Sequence, residues 1–329
     1  MIIPQYWAEA RLQHRERKRQ VTVRRFGWSD ISLEEAQAHA DTRVREAFER
    51  VLAGETLPRS ERRVAYNGAE GVPIREEIVE RDGDSVITRN GYGALCLNTP
   101  NVFFADIDFE TKPSARMLLI VALLLGITAG VGFKLGFEQK SLIGSVIVGC
   151  GVATLLNYVV AIWLQRAMLA LNGGHEGVAR KRIAAFLAQR PDWRLRLYRT
   201  PAGLRLLALH RLFDPREADV ATAFEALGVD PTYARMCRNQ NCFRARLTPK
   251  PWRLGLQRLR APYSAAWRLE HAELPARREW IAEYDRASGG HAACRFVEAL
   301  GHGPIDALAE HVQQLHDLMC QAERDLPLA

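Results

Sequence analysis

The sequence predicts an α+β fold in which a ferredoxin-like βαββαβ core is interrupted by a two-helix transmembrane hairpin. Two uncharged apolar runs lie mid-chain, a strand with two aspartates precedes them, and helix and strand patterns alternate after them. The expected sections are a β-rich N-terminal section with one helix at 1–100, the core at 101–116 and 172–250, the hairpin at 117–165, and a basic irregular segment with C-terminal helices at 251–329.

The two apolar runs are Met117–Phe133 and Ser141–Leu164, joined by a short polar linker. About 20 apolar residues in a helix cross the roughly 30 Å core of a bilayer, so each run predicts a membrane span. The alternative is a buried helical hairpin of a water-soluble protein, which two such neighbouring runs disfavour. Basic residues outside the hairpin then predict a multi-pass inner-membrane protein with the lipid bilayer as partner and both termini in the cytoplasm. These residues are Lys112, Arg116, Arg166, Arg180, Lys181 and Arg182.

The composition limits the class of partner without choosing one. The chain has 329 residues, a formal net charge of +7 at pH 7 and 6 cysteines. A basic balance suits anionic lipid, nucleic acid or nucleotide phosphates. The cysteines are scattered, and a cytoplasmic location would keep them as thiols.

Capping and turn signals organise the N-terminal section. Ser32, with Glu35 three residues later, forms a capping box that predicts a helix ending near Gly54. The Asp82-Gly83 pair predicts a hairpin turn between two strands. The expected strands are 20–26, 74–80, 85–89, 94–97 and 102–109.

The remaining patterns give the order of the core. The last strand of the N-terminal run is followed, after the hairpin, by elements in the order α-β-β-α-β, which completes a split βαβ arrangement. An unrelated α+β layout is the alternative. The expected elements are a helix at 177–190, strands at 193–199 and 204–212, a helix at 217–227 and a strand at 242–247.

Asp106 and Asp108 are the first candidate catalytic residues. Side chains alternate along a strand, so the two carboxylates project from the same face, and paired carboxylates can share Mg²⁺ or Mn²⁺. Their apolar neighbours make two unpaired charges costly, so some cation should neutralise them. Nearby arginines could do so instead of a metal ion, and a solvated strand end is a third interpretation.

Alternating arginines on the other strands suggest a phosphate site. In a ferredoxin-like sheet two helices cover one face and leave the other open, and these arginines would share that open face with the aspartates. Arginine binds phosphate at two points, and a metal ion would neutralise the remaining charge. Contact with lipid headgroups or with the N-terminal section is the alternative. The candidate phosphate-binding residues are Arg194, Arg196, Arg205, Arg244, Arg246 and Lys250.

The motif FFADIDF at Phe103–Phe109 resembles the hDhD strand of the archaeo-eukaryotic primase superfamily, and Thr200–His210 is loosely similar to its small-x-His motif. The resemblance implies an RRM-like catalytic core, nucleotide or nucleic-acid binding, and nucleotidyl transfer. It would make His210 the third catalytic residue, although His210 lies farther from Gly203 than the motif requires. Asp214 could supply a third acidic group.

A zinc site is a separate possibility at Cys237, Cys242, His291 and Cys294, with buried thiols as the alternative. No nucleophile-elbow, P-loop or HExxH pattern occurs in the sequence, which argues against those hydrolase and NTPase classes. The functional hypothesis is therefore a membrane-anchored protein that binds a divalent metal and a phosphate-bearing ligand, with metal-dependent nucleotidyl transfer as its enzymatic form. The alternative is a non-catalytic scaffold that uses its basic face on lipids or a partner.

Overall fold

A computed structural model shows an α+β protein and describes residues 1–16, 19–61, 72–109, 113, 115, 117–123, 126, 142–259 and 267–329, with only the backbone described at 16, 19 and 142–155. Its strands are β1 (Tyr6–Glu16), β2 (Arg19–Ser29), β3 (Glu77–Asp82), β4 (Ser85–Arg89), β5 (Leu95–Thr99), β6 (Phe104–Asp108), β7 (Leu195–Thr200), β8 (Gly203–Ala208), β9 (Phe243–Arg246) and β10 (Arg295–Leu300). Its helices are α1 (Leu33–Leu52), α2 (Leu142–Leu171), α3 (Gly174–Gln189), α4 (Ala218–Leu227), α5 (Pro231–Gln240), α6 (Pro275–Ser288) and α7 (Ala307–Cys320).

The N-terminal hairpin and its helix form a small core. Strands β1 and β2 pair antiparallel, and the apolar face of α1 packs on them. Ser32 begins this helix as predicted, because its side chain accepts a hydrogen bond from the Glu35 amide at 3.1 Å. The apolar side chains recur at helical spacing, which explains why one face of α1 is buried. That face consists of Ala36, Ala40, Val44, Ala47 and Val51.

Two four-stranded sheets form the centre of the larger compact unit, which comprises 1–107 and 186–329. One sheet has the strand order β3-β4-β5-β9, and the other has the order β10-β7-β8-β6. The hairpin predicted at Asp82-Gly83, β3-β4, is confirmed, and the strands expected at 193–199 and 204–212 pair as β7 and β8. Strand β10 was not predicted. It pairs antiparallel with β7, in a segment where the sequence suggested only helices and irregular chain.

Both faces of the second sheet are covered. On one face, the Phe103 ring lies 5.2 Å from that of Phe224 in α4 and 5.4 Å from that of Trp193. On the other face, the ring of Phe104 lies 5.3 Å from His316 in α7. The expectation that one sheet face stays open is therefore wrong, because the C-terminal helix packs on it.

The predicted ferredoxin-like core needs correction at one strand pair. Such a core would place β6 beside β9 in a single sheet, whereas β9 belongs to the other sheet and pairs with β5. Hydrogen bonds from side chains stand where backbone hydrogen bonds between β6 and β9 would be expected. The Tyr233 hydroxyl lies 3.0 Å from the carbonyl oxygens of both Phe104 and Arg244, and Arg205 donates to the Arg246 carbonyl at 2.9 Å. These contacts lie between β6 and β9, which belong to separate sheets.

The second compact unit comprises 108–185. Helix α2 ends at Leu171, ahead of Asn172 and two glycines, and both glycines have a left-handed φ of 76° that a residue with a side chain adopts less readily. The side-chain amide of Asn172 donates to the Met168 carbonyl at 2.7 Å, and Lys181 donates to the Asn172 side-chain oxygen at 2.8 Å. These contacts join the end of α2 to α3.

The membrane prediction needs correction as well. Across the residues that the structure describes, no helix is both long enough and apolar enough to traverse a bilayer. Most of the run Met117–Phe133 and all of the linker to Ser141 lie outside the described residues. The side chains of residues 142–155, in the first half of the second run, also lie outside the described part of the chain. On this finding the transmembrane hairpin, the bilayer as partner and the multi-pass inner-membrane location are not supported.

Candidate metal centre

Three buried side chains converge between α7 and the start of β10. The sulfur atoms of Cys294 and Cys320 and a ring nitrogen of His316 all lie within 4.8 Å of one another. All three residues are almost completely buried. In the part of the chain that the structure describes, this is the one group of three or more such ligand atoms close enough to hold a metal ion.

The local sequence explains why these residues meet. Asp306 begins α7 by accepting hydrogen bonds from the amides of Leu308 and Ala309 at 2.9 and 3.1 Å. His316 and Cys320 are four residues apart, so they share the buried face of this helix. Two backbone hydrogen bonds then attach the segment around Cys294 to the end of the helix. They run from the Ala293 amide to the Cys320 carbonyl at 3.0 Å and from the Phe296 amide to the Ala322 carbonyl at 2.8 Å.

Asp317 orients the imidazole of His316. The Nδ1 atom of His316 lies 2.8 Å from Asp317 Oδ1 and donates to it, so in the neutral form of the ring Nε2 carries the lone pair. The distance from Nε2 to the Cys294 sulfur is 3.8 Å. Asp317 is itself held by Arg196 at 2.8 Å. A histidine whose outer nitrogen donates to a carboxylate is the usual arrangement around metal-bound histidine.

The two thiols differ in acidity. The Cys320 thiol donates to the Cys294 sulfur, and this hydrogen bond, together with His316 and Arg205, holds the pKa of Cys294 well below its ordinary value. Burial and the adjacent Cys294 raise the pKa of Cys320 well above its ordinary value. Cys294 is therefore the sulfur that becomes a thiolate first, and thiolates are the form of cysteine that binds metals.

Arg205 lies beside this cluster and pairs with Asp106. Its Nη1 atom lies 3.1 Å from His316 Nε2 and donates to it, while its other nitrogens bind both oxygens of Asp106, at 2.7 and 3.1 Å. Burial raises the pKa of Asp106, but the charge and hydrogen bonds of Arg205 outweigh burial, so the net shift is downward. The sequence left three interpretations open for Asp106: a metal ion, pairing with arginine, or a solvated strand end. The geometry of Asp106 matches pairing with arginine.

The other predicted site residues do not gather on one face. Asp108 is exposed at the end of β6 and belongs to the second compact unit. Arg244 is buried and binds both oxygens of Glu76, at 2.9 and 2.7 Å. Arg196 is committed to Asp317 and Glu323, and Arg194 donates to the Gly303 carbonyl at 3.4 Å. Lys250 lies 5.5 Å from the centre of the Trp252 ring.

His210 is placed among aromatic side chains. Its ring centre lies 4.6 Å from that of Trp193 and 5.3 Å from that of Phe213. The Arg194 amide donates to Nδ1 at 3.4 Å, and Nε2 is buried without a hydrogen-bond partner. Burial lowers the pKa of His210. This environment favours a neutral packing residue, while the catalytic role that the motif implies stays a prediction.

The candidate zinc ligands inferred from the sequence are not brought together as a set. The Cys242 amide donates to the Cys237 carbonyl at 3.2 Å within a helix end, and the His291 ring contacts the Ala287 carbonyl at 3.1 Å. Only Cys294 belongs to the cluster that forms. The sequence reasoning missed His316 and Cys320, although their spacing in HDLMC places two ligand types on one helical face.

The donor set suits a soft metal ion. Zinc–sulfur and zinc–nitrogen bonds of about 2.3 and 2.0 Å would place ligand atoms roughly 3.5–3.8 Å apart, close to the arrangement around His316. The positive charge of Arg205 opposes a cation, but Asp106 balances it, and two thiolates would balance the charge of a divalent ion. Metal binding also requires Arg205 Nη1 to release His316 Nε2, because one lone pair cannot accept that hydrogen bond and bind the ion. No protein-family model, curated protein or solved structure matches the chain, so the resemblance to the primase superfamily remains a prediction from its sequence motifs.

Proposed function

We propose that this protein binds a soft divalent metal ion, with zinc as the first candidate, through Cys294, His316 and Cys320. The observation that carries the proposal is the convergence of three ligand atoms within 4.8 Å of one another in a buried site. Thiolate and imidazole ligands favour zinc over Mg²⁺ or Mn²⁺, which prefer oxygen. An ion there would connect the end of α7 to the start of β10.

The role that fits this position is structural. Cys294 directly precedes β10, and His316 and Cys320 lie in α7. A metal ion that joins two such elements contributes directly to folding. Three protein ligands also leave one position of a tetrahedral zinc ion for an exchangeable ligand. Ligand counting on the loaded protein would separate a closed site from an open one.

The first experiment measures metal content and affinity. The full chain, purified with a trace of zinc, should contain about one equivalent of zinc by elemental analysis, and should take zinc from a chromophoric chelator. Cys294→Ser, Cys320→Ser and His316→Gln should each abolish stoichiometric binding. Cys242→Ser, which changes a buried thiol outside the cluster, is the matched control and should keep it.

A second measurement does not depend on the variants folding. Zinc should protect Cys294 and Cys320 of the wild-type chain from alkylation under mild denaturant, with each cysteine followed by mass spectrometry. Absence of zinc from the purified chain combined with equal alkylation with and without zinc would contradict the proposal.

A phosphate-bearing ligand remains a second candidate, and one observation favours it. The Nε atom of Arg246 is buried without a hydrogen-bond partner, and this arginine neighbours Tyr92, Arg205 and Asp106. An anion is the ligand that would satisfy such a guanidinium. The hypothesis of nucleotidyl transfer through Mg²⁺ or Mn²⁺ at Asp106 and Asp108 remains a prediction, and it requires Asp106 to leave Arg205.

Nucleotide binding tests this second candidate. A labelled nucleoside triphosphate should bind the full chain, and Arg246→Met should weaken that binding about tenfold or more. If Mn²⁺ strengthens nucleotide binding to the wild-type chain but not to Asp106→Asn, the transferase hypothesis would be favoured. Nucleotide binding that changes neither with Mn²⁺ nor with Arg246→Met would contradict both the anion site at Arg246 and the transferase hypothesis.

A further inference from the structure

A groove lies between α4 and α5, away from the cysteine and histidine cluster. It has a volume of about 520 Å³, within the range of ligand-binding clefts in proteins. Gly228, with a left-handed φ of 73°, ends α4, and Asp230 begins α5 by accepting a hydrogen bond from the Thr232 amide at 2.8 Å. This tight connection holds the two helices as the walls of the groove.

The floor of the groove is apolar. Val220, Phe224 and Val229 line it and are largely buried. Phe224 is fixed from behind, since its ring lies 5.2 Å from that of Phe103 and 5.8 Å from that of Tyr233. Ala221 is exposed on the wall formed by α4. Small and rigid apolar walls suit the apolar side chains of a docked segment.

The rim of the groove is basic. Arg216, Arg235 and Arg238 line it and are exposed. Arg216 also joins the walls, because its Nε atom donates to the Arg238 carbonyl at 3.1 Å. Of the two glutamates at the groove, Glu217 is engaged by Arg211 at 2.9 Å. Three arginines therefore face one remaining acid, Glu225, which leaves the rim with an excess of positive charge.

We propose that this groove docks an acidic amphipathic helix of a partner protein. Its apolar side chains would enter the floor between α4 and α5, and its carboxylates would meet the arginines of the rim. An amphipathic helix laid into a hydrophobic groove is a common mode of recognition, and arginine is enriched at such interfaces. The apolar floor and the burial of Phe224 disfavour a nucleic acid, which would need exposed aromatic rings for stacking.

A designed peptide tests this charge and shape complementarity. The probe is a fluorescein-labelled helix of about 16 residues, long enough to cover four turns, with leucines at i, i+4, i+7 and i+11 and glutamates at most other positions. Anisotropy with the full chain at low salt should show saturable binding. The same peptide with glutamine in place of glutamate should bind at least about tenfold more weakly.

Variants of the groove locate the binding. Arg235→Glu with Arg238→Glu, and separately Ala221→Glu, should each weaken binding of the acidic peptide about tenfold or more. The matched control is Arg286→Glu, an exposed arginine on helix α6, which should leave binding within about twofold. The proposal would be overturned if the glutamine peptide bound as tightly as the acidic peptide, or if Arg286→Glu weakened binding as much as the groove variants do. It would also be overturned if single-stranded DNA bound more tightly than the acidic peptide and the groove variants abolished that binding.

Discussion

The Arg205 guanidinium binds the Asp106 carboxylate at two points, with Nε 2.7 Å from Oδ1 and Nη2 3.1 Å from Oδ2. The side chain of Arg205 is 2% exposed and that of Asp106 is 31% exposed. The arginine therefore depends on this carboxylate for most of its charge compensation, and it in turn donates to the Arg246 carbonyl and to His316. The pair joins strands β6 and β8 to helix α7.

Removing the carboxylate should be costly because it leaves a buried arginine without a counter-charge. We expect Asp106→Ala to lower the free energy of unfolding by about 3–5 kcal/mol, measured by urea denaturation. Asp108→Ala is the matched control on the same strand and should cost less than about 1 kcal/mol, because Asp108 is exposed. Similar costs for the two variants would instead favour the sequence hypothesis that both aspartates act as one unit.

The pH dependence of stability should follow from the same pair. Because Arg205 holds the pKa of Asp106 below the unfolded value of about 3.9, the ionised pair contributes fully above that value. Its contribution is lost as pH falls through the folded pKa. The difference in stability between wild type and Asp106→Asn should thus stay constant from pH 7 to about 5 and shrink below about pH 4. A difference that instead grows as pH falls below about 6 would show that the pKa of Asp106 is raised in the folded state.

Asp317 should tune the proposed zinc site without being a ligand. Its carboxylate accepts from Nδ1 of His316, and loss of such a partner weakens metal affinity about 10–100-fold in known sites. We expect Asp317→Asn to bind one equivalent of zinc with an affinity reduced in this range, measured by chelator competition. Glu323→Gln is the control, because Glu323 shares Arg196 with Asp317 but is exposed, and its zinc affinity should not change. Complete loss of stoichiometric binding in Asp317→Asn would contradict a purely orienting role.

Local signals predicted much of the fold. The cap at Ser32 and the hairpin turn at Asp82-Gly83 each depend on a few neighbouring residues, and each is confirmed. Strand β10 was missed because its stability comes from pairing with β7, about 100 residues earlier in the chain.

The site was harder to predict for a related reason. Strand alternation put Asp106 and Arg205 on one sheet face and the two are in contact, but that face is covered, and their partner His316 lies 111 residues beyond Arg205 in the chain. Nothing in the spacing of α7 showed which sheet face it would cover. A sequence pattern gives the face of each element, while the identity of the opposing element depends on packing across the whole domain.

His210 should confer a distinct acid sensitivity. Burial lowers its pKa below the unfolded value of about 6.5, so the unfolded state takes up a proton first as pH falls. Stability that is present above about pH 6.5 should therefore decline towards pH 5 more steeply in the wild type than in His210→Phe. His302→Phe, at an exposed histidine, is the control and should retain the decline. An unchanged slope in His210→Phe would show that His210 is not the titrating group.

The hydroxyl of Tyr233 offers the sharpest test of why β6 and β9 lie in separate sheets. It is within 3.0 Å of the Phe104 and Arg244 carbonyls and accepts from the Arg244 amide at 3.3 Å, so one atom serves backbone groups of both strand edges. We expect Tyr233→Phe to cost about 1–3 kcal/mol, because buried backbone groups lose their partner while the ring packing is kept. Hydrogen exchange should also show faster exchange at the Arg244 amide.

The matched control for this variant is Tyr284→Phe. The Tyr284 hydroxyl serves Thr248 and the Pro249 carbonyl, which belong to a loop instead of to facing strand edges. Both variants remove a buried hydroxyl, so both should lose stability, but only Tyr233→Phe should change exchange along β6 and β9. If both variants leave exchange in these strands unchanged, the hydroxyl of Tyr233 is not what connects the two edges, and packing of the Phe103 face must connect them instead.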